Sequence, residues 1–143
     1  MAAIAGAKTL GPTFNNAEEV AYAYYDFSVD AGAQSALDVF TAGEAIVITH
    51  FHATVVTQCT SGGSATVIAG ISGGDTDIFM NATQGAVANL TAAATIVPPA
   101  VEGTPNVLPL PVALASGGKI IQTIGTANLT AGKIKYVIKY VKA

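Results

Sequence analysis

His50 and His52, in the stretch "THFHA", are two residues apart. On an extended strand that spacing puts both rings on one face. Two such imidazoles hold a transition-metal ion if a third ligand arrives from elsewhere. No carboxylate is close in sequence, and under unbroken alternation Ile46, Ile48 and Val56 share the histidine face. The pair therefore reads as ordinary polar strand positions, with no metal assigned. Asp75 and Asp77 in "SGGDTDIF" raise the same question for calcium. The further oxygen ligands and the distal glutamate of an EF-hand loop are missing. Asp75 reads as a turn-closing residue, and both carboxylates as solvated loop groups. Neither histidine nor lysine lies close enough in sequence to tune them as an acid–base pair.

Nucleophilic chemistry finds no better foothold. No serine sits in a Gly-x-Ser-x-Gly elbow, and the "SGG" stretches at Ser61, Ser72 and Ser116 match no phosphate-binding loop. Asn81, Asn89 and Asn128 each begin an Asn-x-Thr triplet and read as turn residues. No catalytic residue and no cofactor site is assigned, and the chain reads as non-enzymatic.

Composition narrows the class further. The 143 residues suit one domain. Hydrophobic residues make up 51% and charged residues only 10%, which speaks against disorder and for sheets with surface covered by neighbours. All nine carboxylates precede residue 119, where only Lys8 opposes them, a net of −8. Residues 119–143 hold Lys119, Lys133, Lys135, Lys139 and Lys142 and no acid, a net of +5. There is no arginine, the preferred residue for forked phosphate contacts, so a nucleic-acid partner is not expected. A single cysteine, Cys59, precludes an internal disulfide. The opening "MAAIAGAKTLGPTF" lacks the basic start and apolar run of a secretory signal. No apolar run approaches the ~18 residues of a membrane helix, so no membrane partner is expected.

The elements that must position these residues are strands. The C-terminal "KIKYVIKYVKA" alternates Ile134, Tyr136, Ile138 and Tyr140 with Lys133, Lys135, Val137, Lys139 and Val141, the pattern of a half-buried strand. Its lysines read as a solubilising face that guards a sheet edge or as a contact for an acidic subunit. "VAYAYYDFSVD" alternates Tyr22, Tyr24 and Asp26 with Ala21, Ala23, Tyr25, Phe27 and Val29. "SALDVF", the long "AIVITHFHATVVTQ", "ATVIAGI" and "GGKIIQTIG" follow as strands, with "TSGGS" as a hairpin loop pairing the second and third of these. Residues 78–97 read as irregular with a strand near Ala94–Val97. "PPAVEGTPN" reads as a loop, and "VLPLPVALA" as an edge segment confined by Pro109 and Pro111. "TANLTAG" reads as a turn. Residues 1–19 read as an extended N-terminal arm with a short helix near Ala17–Ala21, and 20–143 as the domain. The expected fold class is all-β: a two-sheet β-sandwich, jelly-roll-like, with an immunoglobulin-like sandwich second.

The string "YYDFSVDAGAQSALDVFTAGEAIVITHFHATVVTQCTSGGSATVIAGISGGDTDIF" resembles a recurring pattern in small structural proteins of tailed bacteriophage virions. There "YDF-VDGGA" precedes an "AGA-I" turn, a long strand, "SGGSATI" and "GDTD". The ending "LTAGKIKYVIKYV" is similar to that pattern's final turn and strand. The resemblance covers roughly residues 20–80 and 117–142; Ala31 replaces the first glycine of "DGGA", and the proline-bearing middle has no counterpart. It implies a capsid decoration (cement) protein, β-rich and trimeric, placed on the capsid surface of a virion after synthesis in the host cytoplasm. The implied partners are the major capsid protein and sister chains. Expected contacts are Phe14 and Asn15 on the arm, Pro98, Pro99 and Glu102 in the loop, and Lys133, Lys135 and Lys139 on the last strand. A fibre domain binding host glycans and a shell-forming jelly-roll protein are the alternatives.

Overall fold

A computed structural model describes residues 17–101 and 108–143. The strand β1 (Glu19–Asp26) leads into a one-turn helix, α1 (Phe27–Asp30), and then β2 (Ala36–Thr41), β3 (Ile46–Ser61) and β4 (Thr66–Ile71). A 3-10 turn at Val87–Asn89 precedes β5 (Thr95–Ile96), β6 (Val112–Leu114), β7 (Lys119–Gly125) and β8 (Leu129–Lys142). The larger sheet runs β1-β8-β3-β5, with β6 also on β3; the smaller runs β2-β7-β4. All pairings are antiparallel. The two sheets face each other as a jelly-roll-like β-sandwich, the expected fold class.

Among the described residues no strand pairs with its neighbour in sequence. β3 and β4 therefore do not form the expected hairpin. The chain crosses at Ser61–Ala65 from the larger sheet to the smaller, where β4 pairs with β7. Glycine and serine in that loop permit either path, and the buried residues of β3 and β4 belong to one core.

The core is built from alternating residues. Ala21, Ala23 and Tyr25 of β1 are buried while Val20, Tyr22 and Tyr24 are exposed. Ile134, Tyr136, Ile138 and Tyr140 of β8 all point inward, as the alternation predicts. The expected helix at Ala17–Ala21 is strand from Glu19 onward. The expected strand through Val29 instead stops at Asp26. The Asp26 carboxylate accepts from the Ser28 amide at 3.0 Å, and Asp30 accepts from the Asp26 amide at 3.0 Å. These reciprocal caps fold the next four residues into α1 and leave Val29 exposed. The Tyr25 hydroxyl fixes the exit by donating to Ala31 O at 2.8 Å; burial pushes its pKa up to about 12.

"TANLTAG" is only partly a turn, since β8 begins at Leu129. Gly132 makes this possible. Its φ of +140° lies against the Cys59 side chain, where β3 and β8 shift register between Thr57 and Thr60. A side chain there would be strained and would strike the sulfur. Cys59 itself is buried, and that burial raises its thiol pKa to about 11. β5 falls within the expected Ala94–Val97 segment, and β6 is a three-residue edge strand after Pro111. The arm expected over residues 1–19 lies outside the described residues up to Asn16.

Candidate interaction face

β8 is not an edge strand. It lies between β1 and β3, so its lysines guard no edge. Their neighbours explain them. Lys133 Nζ lies 3.1 Å from Asp26 of β1, its register partner. Lys139 lies 3.8 Å from Glu18, and Lys142 3.1 Å from Glu44. Lys119 of β7 pairs with Asp38 of β2. The charge that looks segregated along the chain is thus interleaved in space, because antiparallel pairing brings late strands onto early ones. Each pair is about a third exposed or more, so solvent screens it and its contribution to stability is small. The Asp26 carboxyl is held below its usual range, first by the Ser28 hydroxyl and then by Lys133.

Lys135 is different. Among the described residues no carboxylate pairs with it. Its Nζ lies 4.7 Å from the Tyr22 ring centroid and 6.0 Å from that of Tyr24, within cation–π range. Both rings are about half exposed, at 51% and 47%, and neither hydroxyl has a hydrogen-bond partner among the described residues. The expected contact set missed these tyrosines. The signal was present in the alternation, which already put two large aromatics on the outer face opposite Ala21 and Ala23.

The histidines complete this face. His50 is paired in register with Lys139, and His52 with Val137. Contrary to the expected alternation, they do not share a face with Ile46 and Ile48. The β3–β8 register shifts between Ile48 and His50, so Ile48 and Phe51 are both buried and the histidines turn outward. His50 Nε2 and His52 Nδ1 are 2.7 Å apart, so one ring donates to the other, and a proton on both nitrogens would set two donors in opposition. Among the described residues no three histidine, cysteine or acidic side chains gather as a metal site.

Burial lowers the His52 pKa below its ordinary 6.5, with His50, Lys135 and Lys139 adding to the effect. The unfolded chain then takes up a proton at a higher pH than the folded chain. Stability is unaffected above about pH 6.5 and falls as pH drops through the window between the two pKa values. We expect thermal unfolding at about pH 5 to show a lower Tm than at about pH 7.5, and His52→Gln to reduce that difference. An unchanged difference in the variant would remove His52 as its source.

The remaining expected contacts are spread out. Pro98 and Pro99 are half-buried just after β5, beside exposed Val97 and Val101. Phe14, Asn15 and Glu102 lie outside the described residues. Asp75 accepts from the Asp77 amide at 3.2 Å while its carbonyl accepts from Ile71, the turn-closing role its sequence suggests. The asparagines of the Asn-x-Thr triplets also brace turns: Asn128 accepts from the Gln34 amide, Asn81 from Gln84, and Asn89 donates to Thr83 O.

A shallow crevice with a cavity volume of only about 10 Å³ lies between β1 and β2, lined by Ala23, Tyr24, Leu37, Val39, Tyr136 and Gln122. The Tyr136 hydroxyl donates to Gln122 Oε1. Burial raises the Tyr136 pKa well above its usual value, which keeps it a donor. Gln122 Nε2 is buried with no hydrogen-bond partner among the described residues.

No family model and no curated protein matches the chain. Two solved structures share its fold. One is a chain from the structure described as the cyanophage Pam1 capsid asymmetric unit, with a TM-score of 0.63 and 13% identity over 95% of this chain and 92% of that one. The other is from the acidic stable capsid structure of Helicobacter pylori bacteriophage KHP30, with a TM-score of 0.56 and 10% identity over 87% of this chain and 86% of that one.

Proposed function

We propose that this chain is a non-enzymatic structural protein of a phage virion, a decoration (cement) protein that binds the outer surface of the capsid shell and stabilises it. The observation that carries this reading is the fold: nearly the whole length superposes on chains from two phage capsid structures. Decoration needs surface fit rather than chemistry. The small charge content and the internal neutralisation of most lysines suit it, since each buried unpaired charge is costly. The partners are the major capsid protein and two sister chains in a homotrimer. Pro98, Pro99, Glu102, Phe14 and Asn15 are proposed contacts with Lys133, Lys135 and Lys139. Lys135 leads the lysines, because Lys133 and Lys139 already have carboxylates.

The test is an electron-microscopy map of the particle with the copy number of the chain. We expect trimeric density outside a continuous shell, and sedimentation of the purified chain as a trimer. Density forming the shell lattice itself would make it a coat protein, and density confined to a fibre would make it a host-binding domain.

A further inference from the structure

The sandwich has four sheet edges, and three are guarded. On the far side of the larger sheet, β3 is covered by β5 and β6, two and three residues long, with prolines leading into β6. In the smaller sheet, β4 is covered by the chain after it: Val67, Ala69 and Ile71 amides donate to Gly85, Met80 and Asp75 carbonyls. β2 carries a bulge between Asp38 and Phe40. Short edges, covering loops and bulges are the usual means of preventing unwanted strand addition.

β1 has none of these. It is eight residues long, and its register with β8 runs unbroken from Glu19↔Tyr140 to Asp26↔Lys133. It contains no proline and no lysine. Among the described residues it pairs on one side only. Over its outer face lies Lys135 of β8, a cation with no carboxylate partner among the described residues, its Nζ over the Tyr22 ring.

We propose that β1 is a docking edge: an extended segment of a neighbouring shell subunit adds to it as a further strand, with an acidic side chain of that segment seated on the Lys135 ammonium above Tyr22. The shell origin of the segment rests on the virion reading; the open edge does not. Main-chain hydrogen bonds supply affinity in this mode, and alternate side chains supply specificity. Charge complementarity selects the occupant. The Tyr22 ring already orders the Lys135 side chain, so little rotamer freedom is lost when a carboxylate arrives.

The test is amide hydrogen exchange over Glu19–Asp26 in the whole chain, free and on purified capsid shells stripped of it, beside Lys135→Glu and Tyr22→Lys variants. Amides of β1 that exchange fast in the free chain should become protected on the shell. Both variants should bind shells about tenfold more weakly or worse, with wild-type Tm. Shell binding with β1 still exchanging as in the free chain overturns the docking edge and leaves the virion reading standing.

Protection already present in the free chain also overturns the proposal. Protection that grows with protein concentration means a second copy occupies the edge. Protection lost on deleting residues 1–16 means the chain's own N-terminus does. Failure of the wild type to bind any shell overturns the virion reading and the shell-derived occupant together. The edge is then decided with the probe peptide acetyl-TEVEVEVT-amide: protection of β1 by the peptide supports an acidic strand from another source, and no protection overturns the edge as well.

Discussion

Replacing Phe51 with alanine is expected to cost about 3–5 kcal/mol of folding free energy, near the upper end for a single core truncation. Phe51 is fully buried on β3. Its ring stacks on Phe79, with centroids 4.7 Å apart and planes 16° apart. It also meets Tyr136 of β8 at 5.8 Å. Phe79 belongs to the segment that covers β4, where Phe79 and Met80 both donate to Ala69 O. The ring therefore ties two strands of the larger sheet to the segment that covers β4. Domains of this kind are stable by about 5–15 kcal/mol, so the variant loses a large fraction of the total. Urea or guanidinium unfolding measures it, and Phe51→Leu should cost clearly less. A loss below about 1 kcal/mol for the alanine variant would mean the cavity collapses, and that the aromatic stack is not what holds the covering segment to the larger sheet.

Gly85→Ala is expected to destabilise the fold by about 3 kcal/mol, through overpacking rather than cavity formation. Gly85 lies flat against β4: its carbonyl accepts from the Val67 amide at 2.8 Å. A Cβ there would overlap the Val67 carbonyl group. The obstacle is backbone, and Val67 is held on its other side by pairing with Ile124 of β7. Relief requires the covering segment to lift, so exchange of the Val67 and Ala69 amides should accelerate. Gly62→Ala is the contrast. A Cβ at Gly62 meets nothing within 4 Å, and the change should shift stability by less than about 0.5 kcal/mol or stabilise slightly. Equal effects at the two positions would show that the Gly85 contact is not as close as described.

These two glycines mark where the sequence stops being informative. Both sit in stretches that read as irregular or loop. Nothing local distinguishes the one pressed against a strand from the one in open space, because the pressing residue, Val67, is eighteen positions away. The same limit applies to the interaction face. The lysines of β8 were legible as one face of a strand, and so were Tyr22 and Tyr24 of β1. That Lys133, Lys139 and Lys142 are neutralised while Lys135 is not depends on which early acids lie beside them. That neighbourhood is set by contacts between parts of the chain about a hundred residues apart or more.

Local sequence determined what depends on local physics: an all-β chain, most of its strands, the inward row Ile134–Tyr136–Ile138–Tyr140, and the turn roles of Asp75 and the asparagines. Alternation reports burial directly, because successive side chains leave opposite faces of a sheet. Tertiary structure alone decided the partners of every strand, all of them non-consecutive. It also decided the bulge that turns His50 and His52 outward, and that Lys135, among the described residues, lies over Tyr22 with no carboxylate beside it. Register and bulges are fixed by the surface a strand packs against, and that surface comes from distant parts of the chain.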